Sequence, residues 1–280
     1  GFSGVYHAVR LREGIDTGLD VEKRITSKTK AVVPVHYAGA SCRIDELLEV
    51  AEKNNLYIIE DAAEALGTSY KSKPVGSAGT AAMFSFCGNK VVTTGEGGMV
   101  VTDDEEIADA LTLLRSHGRT DKGGYFTSSE SFDYIALGHN WRMSELTAEL
   151  GRSQFRKLPL LIEMRQQVAA HYNDLLEGLP VQCPSPLPDS THIYQMYTVR
   201  FRDNRAREAV RKHLTREKIM TKIYFDSVHL TTFYADLGFR KGDLPVTETL
   251  SETVLTLPLF PGMDGSEVEL VCKEIRKALS

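Results

Sequence analysis

Two side chains with reactive chemistry lie where short apolar segments end. Lys90 occupies a turn between the segments TAAMFSF and GGMVV, with small and glycine residues around it. Asp61 follows the apolar run LYIIE and begins the segment DAAEALG. Open α/β sheets bind ligands at the ends of their strands. An amine in a largely apolar turn is desolvated, which favours its neutral form, the nucleophile that forms Schiff bases with carbonyl compounds. The sequence therefore predicts an amine nucleophile with a carboxylate at a neighbouring strand end.

Each of these residues also has a purely structural interpretation. Lys90 fits a solvated loop lysine, and Asp61 with Glu64 fits a capping box before an alanine-rich stretch. Ser85 fits a small residue that fills a tight core position. The glycines of residues 95–98 do not have the spacing of a Walker A loop, and they favour a tight turn beside Lys90.

Length and composition exclude several classes of protein. The chain has 280 residues, of which 42% are hydrophobic and 25% are charged, as in ordinary globular proteins. The formal net charge is −5 and the basic residues are scattered, so we expect no nucleic-acid partner. The apolar runs are too short to cross a bilayer and no signal peptide precedes the first predicted strand, so we expect no membrane insertion. The widely spaced cysteines and the histidines form no zinc-type cluster, which predicts a reducing cytoplasm and no structural metal.

The order of the predicted elements indicates an α/β fold with a mostly parallel sheet covered by helices, followed by a smaller C-terminal α+β domain. We expect residues 1–145 to form the large domain, and residues 146–280 to contain a connector helix and the small domain. In the large domain the pattern predicts strands over GVYHAVRL, KAVVPVHY (continuous and covered on both faces), LYIIE, TAAMFSF and GGMVV, a helix over residues 44–53, and a helix capped by Asp103 or Asp104. Further on it predicts helices over residues 143–156, 158–176 and 205–216, strands over HIYQMYTVRF and IMTKIYF, and a final helix with Val268, Val271, Cys272, Ile275 and Leu279 on one face.

The segments around Asp61 and Lys90 resemble the signature of the DegT/DnrJ/EryC1/StrS family of sugar aminotransferases. That signature places an aspartate in EDAAxA and a lysine in FSFxxxK…GEGG, and this chain carries both motifs at the family's spacing. The resemblance covers essentially all 280 residues. It implies a pyridoxal-phosphate enzyme of fold type I that moves an amino group, usually from L-glutamate, to the keto carbon of a nucleotide-linked 4-keto-6-deoxyhexose. It also implies a cytoplasmic homodimer with shared active sites that serves polysaccharide or glycoside biosynthesis.

The resemblance assigns roles to four residues near the proposed amine. Lys90 would form the internal aldimine with pyridoxal phosphate and then carry the proton between substrate and cofactor. Asp61 would keep the pyridine nitrogen protonated, and the hydroxyl of Ser85 would donate to the cofactor phosphate. Glu64 stands where many members have glutamine near the cofactor's 3′-oxygen. This glutamate and the wording GNK…TTGEGG are similar to the perosamine-synthase-like subgroup.

Two further segments resemble family regions that complete the site. GHNWRMSE is similar to GYNYRMSE, which reaches across the dimer interface, so Asn140 would bind the cofactor phosphate of the partner, with Arg142 as a neighbour that contacts substrate. The alternative is a loop that merely closes onto the next helix. TKIYFDSVHLTTFYADLGF resembles the stretch in which a histidine approaches the sugar nucleotide, which makes His229 a candidate substrate contact. The family usually has proline where this chain has Ser227.

Two rival functions follow from the same resemblance. In a sugar-nucleotide dehydratase of this family the lysine is replaced by histidine, and Lys90 argues against that activity. A non-catalytic regulatory paralogue would be expected to lose Lys90 or Asp61, and both are present. The first residue is Gly1, and the first segment aligns about a quarter of the way along family members. We therefore expect a chain without the family's N-terminal phosphate-binding turn and stacking aromatic ring, one that binds pyridoxal phosphate weakly by itself.

Overall fold

A computed structural model describes residues 17–120 and 132–280 of the chain. The strand predicted over GVYHAVRL lies outside the described residues. The first described element is helix α1 (Thr17–Glu22). Among the described residues, no helix combines the length and the apolarity that a membrane crossing requires.

The first half of the described chain is built on a four-stranded mixed sheet. Strands β1 (Ala31–Val32) and β2 (Tyr57–Asp61) precede a small hairpin of β3 (Ser69–Tyr70) and β4 (Lys73–Pro74), and then come β5 (Ala81–Ser85) and β6 (Gly98–Val101). The sheet has the order β1-β2-β5-β6, in which β1, β2 and β5 are parallel and β6 is antiparallel to β5. Because β2 and β5 run in the same direction, Asp61 and Ser85 lie at the same edge of the sheet.

Local sequence signals set the helices around this sheet. Helix α2 (Ile44–Lys53) has the predicted bounds, and the chain leaves it through Asn55 at a φ of 52°. Helix α3 (Glu105–Leu114) begins after Asp104, whose carboxylate accepts a hydrogen bond from the Ile107 N–H. The predictions of these two helices are confirmed.

The prediction of a continuous, doubly covered strand over KAVVPVHY is wrong. Regular pairing ends at Val32, resumes at a single bridge between Val35 and Asp61, and gives way to a short 3-10 turn at Tyr37–Gly39. Pro34 explains the interruption, because it has no N–H to donate to a ladder. Val33 and Val35 are exposed among the described residues, so one side of the strand is not covered by them.

The second half of the described chain packs helices on a three-stranded antiparallel sheet. Its elements are helices α4 (Glu145–Phe155) and α5 (Leu158–Leu176), strands β7 (Val181–Gln182) and β8 (Tyr197–Phe201), helices α6 (Asn204–Arg216), α7 (Thr232–Asp236) and α8 (Pro245–Thr253), strand β9 (Val254–Leu257) and helix α9 (Gly265–Leu279). The sheet order is β7-β8-β9. Its core is formed by buried residues of the sheet and of α5, α6 and α9, among them Tyr172, Tyr197, Phe201, Leu214, Leu255 and Ile275.

The strands of this half differ from the sequence prediction in their extent. The strand predicted over HIYQMYTVRF begins only at Tyr197, because Tyr194 has a φ of 49°, which extended backbone does not allow. The segment IMTKIYF forms no regular strand and contributes only a bridge between Lys222 and Thr256. The partner of β8 is instead β9, which is buried along its whole length. Met220 and Lys222 are exposed, so IMTKIYF buries no continuous face that would hold it in the sheet. In α9 the predicted face is buried at Val268, Val271, Cys272 and Ile275, with Leu279 partly buried.

Helix α5 connects the two halves. Near its start, Leu158 belongs to a cluster with Val91, Val92 and Ile193, next to Lys90. Further along, Val168, Tyr172 and Leu176 belong to the C-terminal core. One rigid helix therefore contributes to both the Lys90 region and the small sheet, while the domain boundary at residue 145 stays a prediction.

Candidate active site

Lys90 lies in a compact turn between β5 and β6. Its N–H donates to the carbonyl of Cys87 over 3.0 Å, and the Phe86 carbonyl accepts from the Thr94 N–H over 2.9 Å. The glycine-rich stretch closes the turn, as predicted. A Cβ on Gly97, which has a φ of +151°, would lie 2.6 Å from the Thr94 hydroxyl oxygen, so a side chain would not fit there.

The amine of Lys90 faces the carboxylate of Glu64. Lys90 Nζ and Glu64 Oε1 are 3.3 Å apart, and the two side chains are only 14% and 11% exposed. The other carboxylate oxygen, Oε2, accepts a hydrogen bond of 2.9 Å from the Ala38 N–H. The carboxylate of Glu64 therefore bonds the Lys90 amine through one oxygen, and the backbone N–H of Ala38 holds the same carboxylate through the other oxygen. The expectation of an amine in apolar surroundings is incomplete, because this carboxylate lies against it.

A small cavity surrounds the pair. Its lining combines apolar side chains with a hydroxyl and an amide: Ala63, Leu66, Val91, Val92 and Ile193 with Ser85 and Gln195. Ser85 Oγ accepts a hydrogen bond of 3.3 Å from the Cys87 N–H, so its own proton is available to another acceptor. The structure thus brings together three of the predicted site residues, Lys90, Glu64 and Ser85.

Asp61 ends β2 and begins a tight turn rather than a helix. Its Oδ1 accepts from the Ala63 N–H at 3.1 Å, and the turn continues with a bond from the Ala65 N–H to the Ala62 carbonyl. The capping-box interpretation fails here, because Glu64 uses its carboxylate on Ala38 and Lys90 and residues 62–68, all of them described, form no α-helix. Asp61 is not among the residues that line the Lys90 cavity. Its role towards the cofactor stays a prediction.

A buried pair of His36 and Glu60, which was not predicted from the sequence, lies on the other face of β2 from Asp61. Glu60 points to the opposite face from Asp61, is fully buried, and accepts a 3.0 Å hydrogen bond from His36 Nε2. The same carboxylate accepts from the backbone N–H groups of Gly76, Ala78 and Gly79 at 2.7–2.9 Å. Burial disfavours the ionised form, but these hydrogen bonds outweigh it and lower the pKa of Glu60 to about 2. Side chains alternate between the two faces of a strand, so Glu60 lies on the same buried face as Ile58 while Asp61 lies on the opposite face. This alternation in LYIIED is the sequence signal that could have predicted a buried Glu60.

Asn140 and Arg142 lie on an exposed segment and are not among the residues that line the Lys90 cavity, so their roles towards cofactor and substrate stay predictions. Asn140 makes a backbone bridge to Ser116, and Arg142 Nη1 donates to the Ser116 hydroxyl over 3.2 Å. Gly138 makes this possible, because a Cβ there would lie 2.1 Å from the Gly118 nitrogen. Ser144 accepts from the Thr147 N–H and caps α4, so the structural alternative of a loop closing onto that helix is satisfied as well.

His229 is buried in a short 3-10 turn and pairs with Glu248. Its Nε2 lies 3.0 Å from Glu248 Oε1, and Glu248 also accepts from the Gly242 N–H. The hydrogen bond from His229, ahead of the backbone N–H groups, lowers the pKa of Glu248 below its ordinary value. Among the described residues, His229 Nδ1 has no hydrogen-bond partner. His229 does not line the Lys90 cavity, so its contact with substrate stays a prediction.

One group of side chains in the described part of the chain has metal-ligand character. The ligand atoms of His213 on α6, Glu217 directly after α6 and Glu274 on α9 lie within 4.8 Å of one another. Glu274 already binds His213 Nε2 at 2.8 Å and Lys277 Nζ at 2.7 Å. These two partners offset its charge, and the group takes no part in the Lys90 site.

The fold defines a class of protein. Solved sugar aminotransferases share this mixed, mostly parallel sheet with its helices, which is the fold of type-I pyridoxal-phosphate transferases. The PLP form of a sugar aminotransferase from Streptococcus pneumoniae, Spr1654, has a TM-score of 0.86 and 26% identity over 94% of this chain and 72% of that one. PseC of Helicobacter pylori, an aminotransferase involved in the biosynthesis of pseudoaminic acid, has a TM-score of 0.91 and 28% identity over 99% and 74%.

The sequence places the chain in a particular family within that class. The model of the DegT/DnrJ/EryC1/StrS aminotransferase family matches residues 14–276. The GDP-perosamine synthase of Escherichia coli O157:H7 is 34% identical over 261 residues, which are 93% of this chain and 69% of that enzyme. The chain belongs to the DegT/DnrJ/EryC1/StrS aminotransferase family. The family resemblance and the fold class predicted from the sequence are therefore confirmed.

Proposed function

We propose that the protein transfers an amino group from an amino acid, L-glutamate, to the keto carbon of a nucleotide-linked 4-keto-6-deoxy sugar. The general activity, that of a pyridoxal-phosphate-dependent nucleotide-sugar aminotransferase, follows from its family. The assignment of the active site rests on one observation, the enclosed pair of Lys90 and Glu64 with Ser85 in the same cavity. An enclosed amine with a carboxylate partner is suited to nucleophilic attack and proton transfer.

The residues of the site fit pyridoxal phosphate. Bound there, the cofactor would supply an aldehyde and an electron-accepting ring. Lys90 Nζ would be the nucleophile for the aldehyde and would afterwards carry the proton to and from the reacting carbon. Glu64 orients that amine and can accept a proton from it. The free hydrogen of Ser85 suits a phosphate oxygen, and Asp61 has a second carboxylate oxygen for a protonated ring nitrogen.

A second copy of the chain would complete the site. Asn140 and Arg142 lie on the exposed segment and would serve the partner's cofactor and substrate. Large apolar side chains of this segment and the following helix are exposed: Ile135, Leu137, Trp141 and Leu146. Such a patch is typical of a protein interface. This exposed apolar surface therefore supports a homodimer with shared active sites. A cytoplasmic location is part of the same proposal and rests on the widely spaced cysteines, which form no disulfide among the described residues.

The relative named GDP-perosamine synthase supports a GDP-linked or similar sugar nucleotide and amination at C4. His229 would contact that substrate once the dimer has formed. The rival dehydratase activity needs a site without the reactive amine, and Lys90 with its carboxylate partner weighs against it. Both reactive residues of a catalytic member, Lys90 and Asp61, are present, which weighs against a regulatory paralogue.

A substrate panel tests this proposal. The protein is incubated with pyridoxal phosphate, L-glutamate and 4-keto or 3-keto sugars linked to GDP, UDP or dTDP, and the products are identified by mass spectrometry and NMR. We expect a 4-amino product and 2-oxoglutarate in equal amounts. A 3-amino product would refute C4 amination, and a deoxygenated sugar without amine would establish the dehydratase. Lys90→Ala serves as the inactive control.

A further inference from the structure

A single glutamine from the C-terminal half holds the peptide groups on both sides of Lys90. Gln195 Nε2 donates to the carbonyl of Asn89 over 2.6 Å, and Gln195 Oε1 accepts from the N–H of Val91 over 2.9 Å. Gln195 is 6% exposed and lies 104 residues from Val91 in the chain. The two bonds use one donor and one acceptor of the same planar amide. They therefore form together only when the Asn89 carbonyl and the Val91 N–H have one particular relative orientation.

A side chain of helix α5 holds the backbone of the segment that contains Gln195. Arg165 Nη1 donates to the carbonyls of Tyr194 and Gln195 at 3.1 and 3.2 Å. Burial lowers the pKa of Arg165 to about 10, which leaves it charged near neutral pH. The Ile193 N–H also donates to the carbonyl of Gly39, which lies in the same turn as Ala38, the residue whose N–H bonds Glu64. Gln195 therefore reaches the Lys90 turn from a rigid support.

Without Gln195, the backbone of the Lys90 turn would keep, among the described residues, hydrogen bonds only to the turn itself and to the end of β5. Those bonds, from Lys90 to Cys87 and from Thr94 to Phe86, close the turn but leave the two peptide planes beside Lys90 unconstrained from outside. The orientation of those planes sets the direction of the Lys90 Cα–Cβ bond, and so the position of Nζ relative to Glu64. A displacement of about 1 Å at a reacting group costs roughly a hundredfold in rate.

We propose that Gln195 is a positioning residue for Lys90, which aims the amine through the two peptide groups that flank it. The proposal rests on the proposed function in one respect, that Lys90 is the amine that reacts with pyridoxal phosphate. It assigns to the C-terminal half a direct part in setting up the reactive group. Gln195 acts on the backbone and has no part in proton transfer.

Gln195→Leu tests the proposal, with Gln166→Leu as the matched control. Gln166 lies on α5 and donates to the His192 carbonyl at 3.0 Å, so its loss removes a glutamine-to-backbone bond from the same region without touching the Lys90 turn. Hydrogen exchange of the cofactor-free proteins is followed in peptides that contain residues 86–95. We expect Val91 to lose protection by roughly tenfold in Gln195→Leu and to keep it in the control.

The second readout is the rate at which pyridoxal phosphate forms a borohydride-reducible bond with Lys90. We expect this rate to fall by roughly ten- to a hundredfold in Gln195→Leu relative to Gln166→Leu, at similar thermal stability. In Gln195→Glu the acceptor is kept and the donor is lost. A protonated carboxyl can again donate to Asn89, so its rate relative to wild type should rise as the pH falls from 8 to 6.

The outcomes separate the two levels of the proposal. If wild type forms no reducible bond at Lys90, the proposed function is refuted. If wild type reacts, and Gln195→Leu matches Gln166→Leu both in hydrogen exchange and in the rate of bond formation with pyridoxal phosphate, the positioning role of Gln195 is refuted. A defect in Gln195→Leu that appears only as a lowered melting temperature, with an unchanged rate, also refutes it, because that is the signature of packing alone.

Discussion

Replacement of Glu60 by glutamine should destabilise the protein strongly, although Glu60 does not line the cavity. Glu60 Oε2 accepts from His36 and Gly76, and Oε1 accepts from Ala78 and Gly79. In Glu60→Gln the new NH₂ group replaces one of these oxygens and faces two N–H donors. Each buried donor that loses its acceptor costs about 1–3 kcal/mol, so we expect a loss of roughly 2–6 kcal/mol.

The same hydrogen bonds make the stability of the protein depend on pH. The pKa of Glu60 is lowered from 4.5 to about 2 on folding, which corresponds to roughly 3 kcal/mol of stability. Because the folded-state pKa is the lower one, this contribution is fully present above pH 4.5. It is lost as the pH falls from 4.5 through 2, and only below the folded pKa of about 2 is the carboxylate largely protonated in both states. Wild type should therefore lose stability over this range, and Glu60→Gln should lack that part of the loss.

Urea unfolding of the cofactor-free proteins between pH 3 and pH 8 measures both effects. At pH 7 we expect the midpoint of Glu60→Gln to lie about 1 M or more below that of wild type. Glu149→Gln is the matched control, because Glu149 is exposed and forms an exposed ion pair with Arg152 on the same helix face. A midpoint for Glu60→Gln as high as that of Glu149→Gln, or an unchanged acid limb, would show that the buried carboxylate does not stabilise the turn of residues 76–79.

Three further substitutions test the site itself. Lys90→Ala should lose both the visible band and the borohydride-reducible bond with pyridoxal phosphate, together with transamination, and a retained reducible bond would place the amine elsewhere. Asp61→Ala should fold and bind some cofactor but lose roughly 10³-fold in turnover, because its charge acts chiefly in the transition state. Full activity in a poorly folding Asp61→Ala protein would instead leave Asp61 a structural residue. Gly138→Ala should lower the unfolding free energy by about 1–3 kcal/mol, because the new Cβ would lie 2.1 Å from the Gly118 nitrogen, and an unchanged urea midpoint would contradict this close approach.

Local patterns in the sequence were sufficient for most of the helices and for the turn that carries Lys90. The bounds of α2, the cap of α3 at Asp104 and the extent of α5 follow from periodicity, caps and prolines within a few residues. The strand end at Asp61 and the glycine turn after Lys90 are local in the same sense. The motifs around these two residues also identified the family, because their residue types and spacing are specific.

Tertiary structure alone decided which distant groups meet. The sequence pattern predicts a strand over IMTKIYF and none over residues 254–257, yet β8 pairs with β9, which is buried along its whole length. The carboxylate of Glu64 against Lys90 and the amide of Gln195 beside it come from segments 26 and 104 residues away from their partners. Periodicity records which face of an element is apolar, but it does not record which other element covers that face. Those contacts form only when the whole chain closes around its cores, so the sequence pattern could name the candidate lysine but not the groups that contact it.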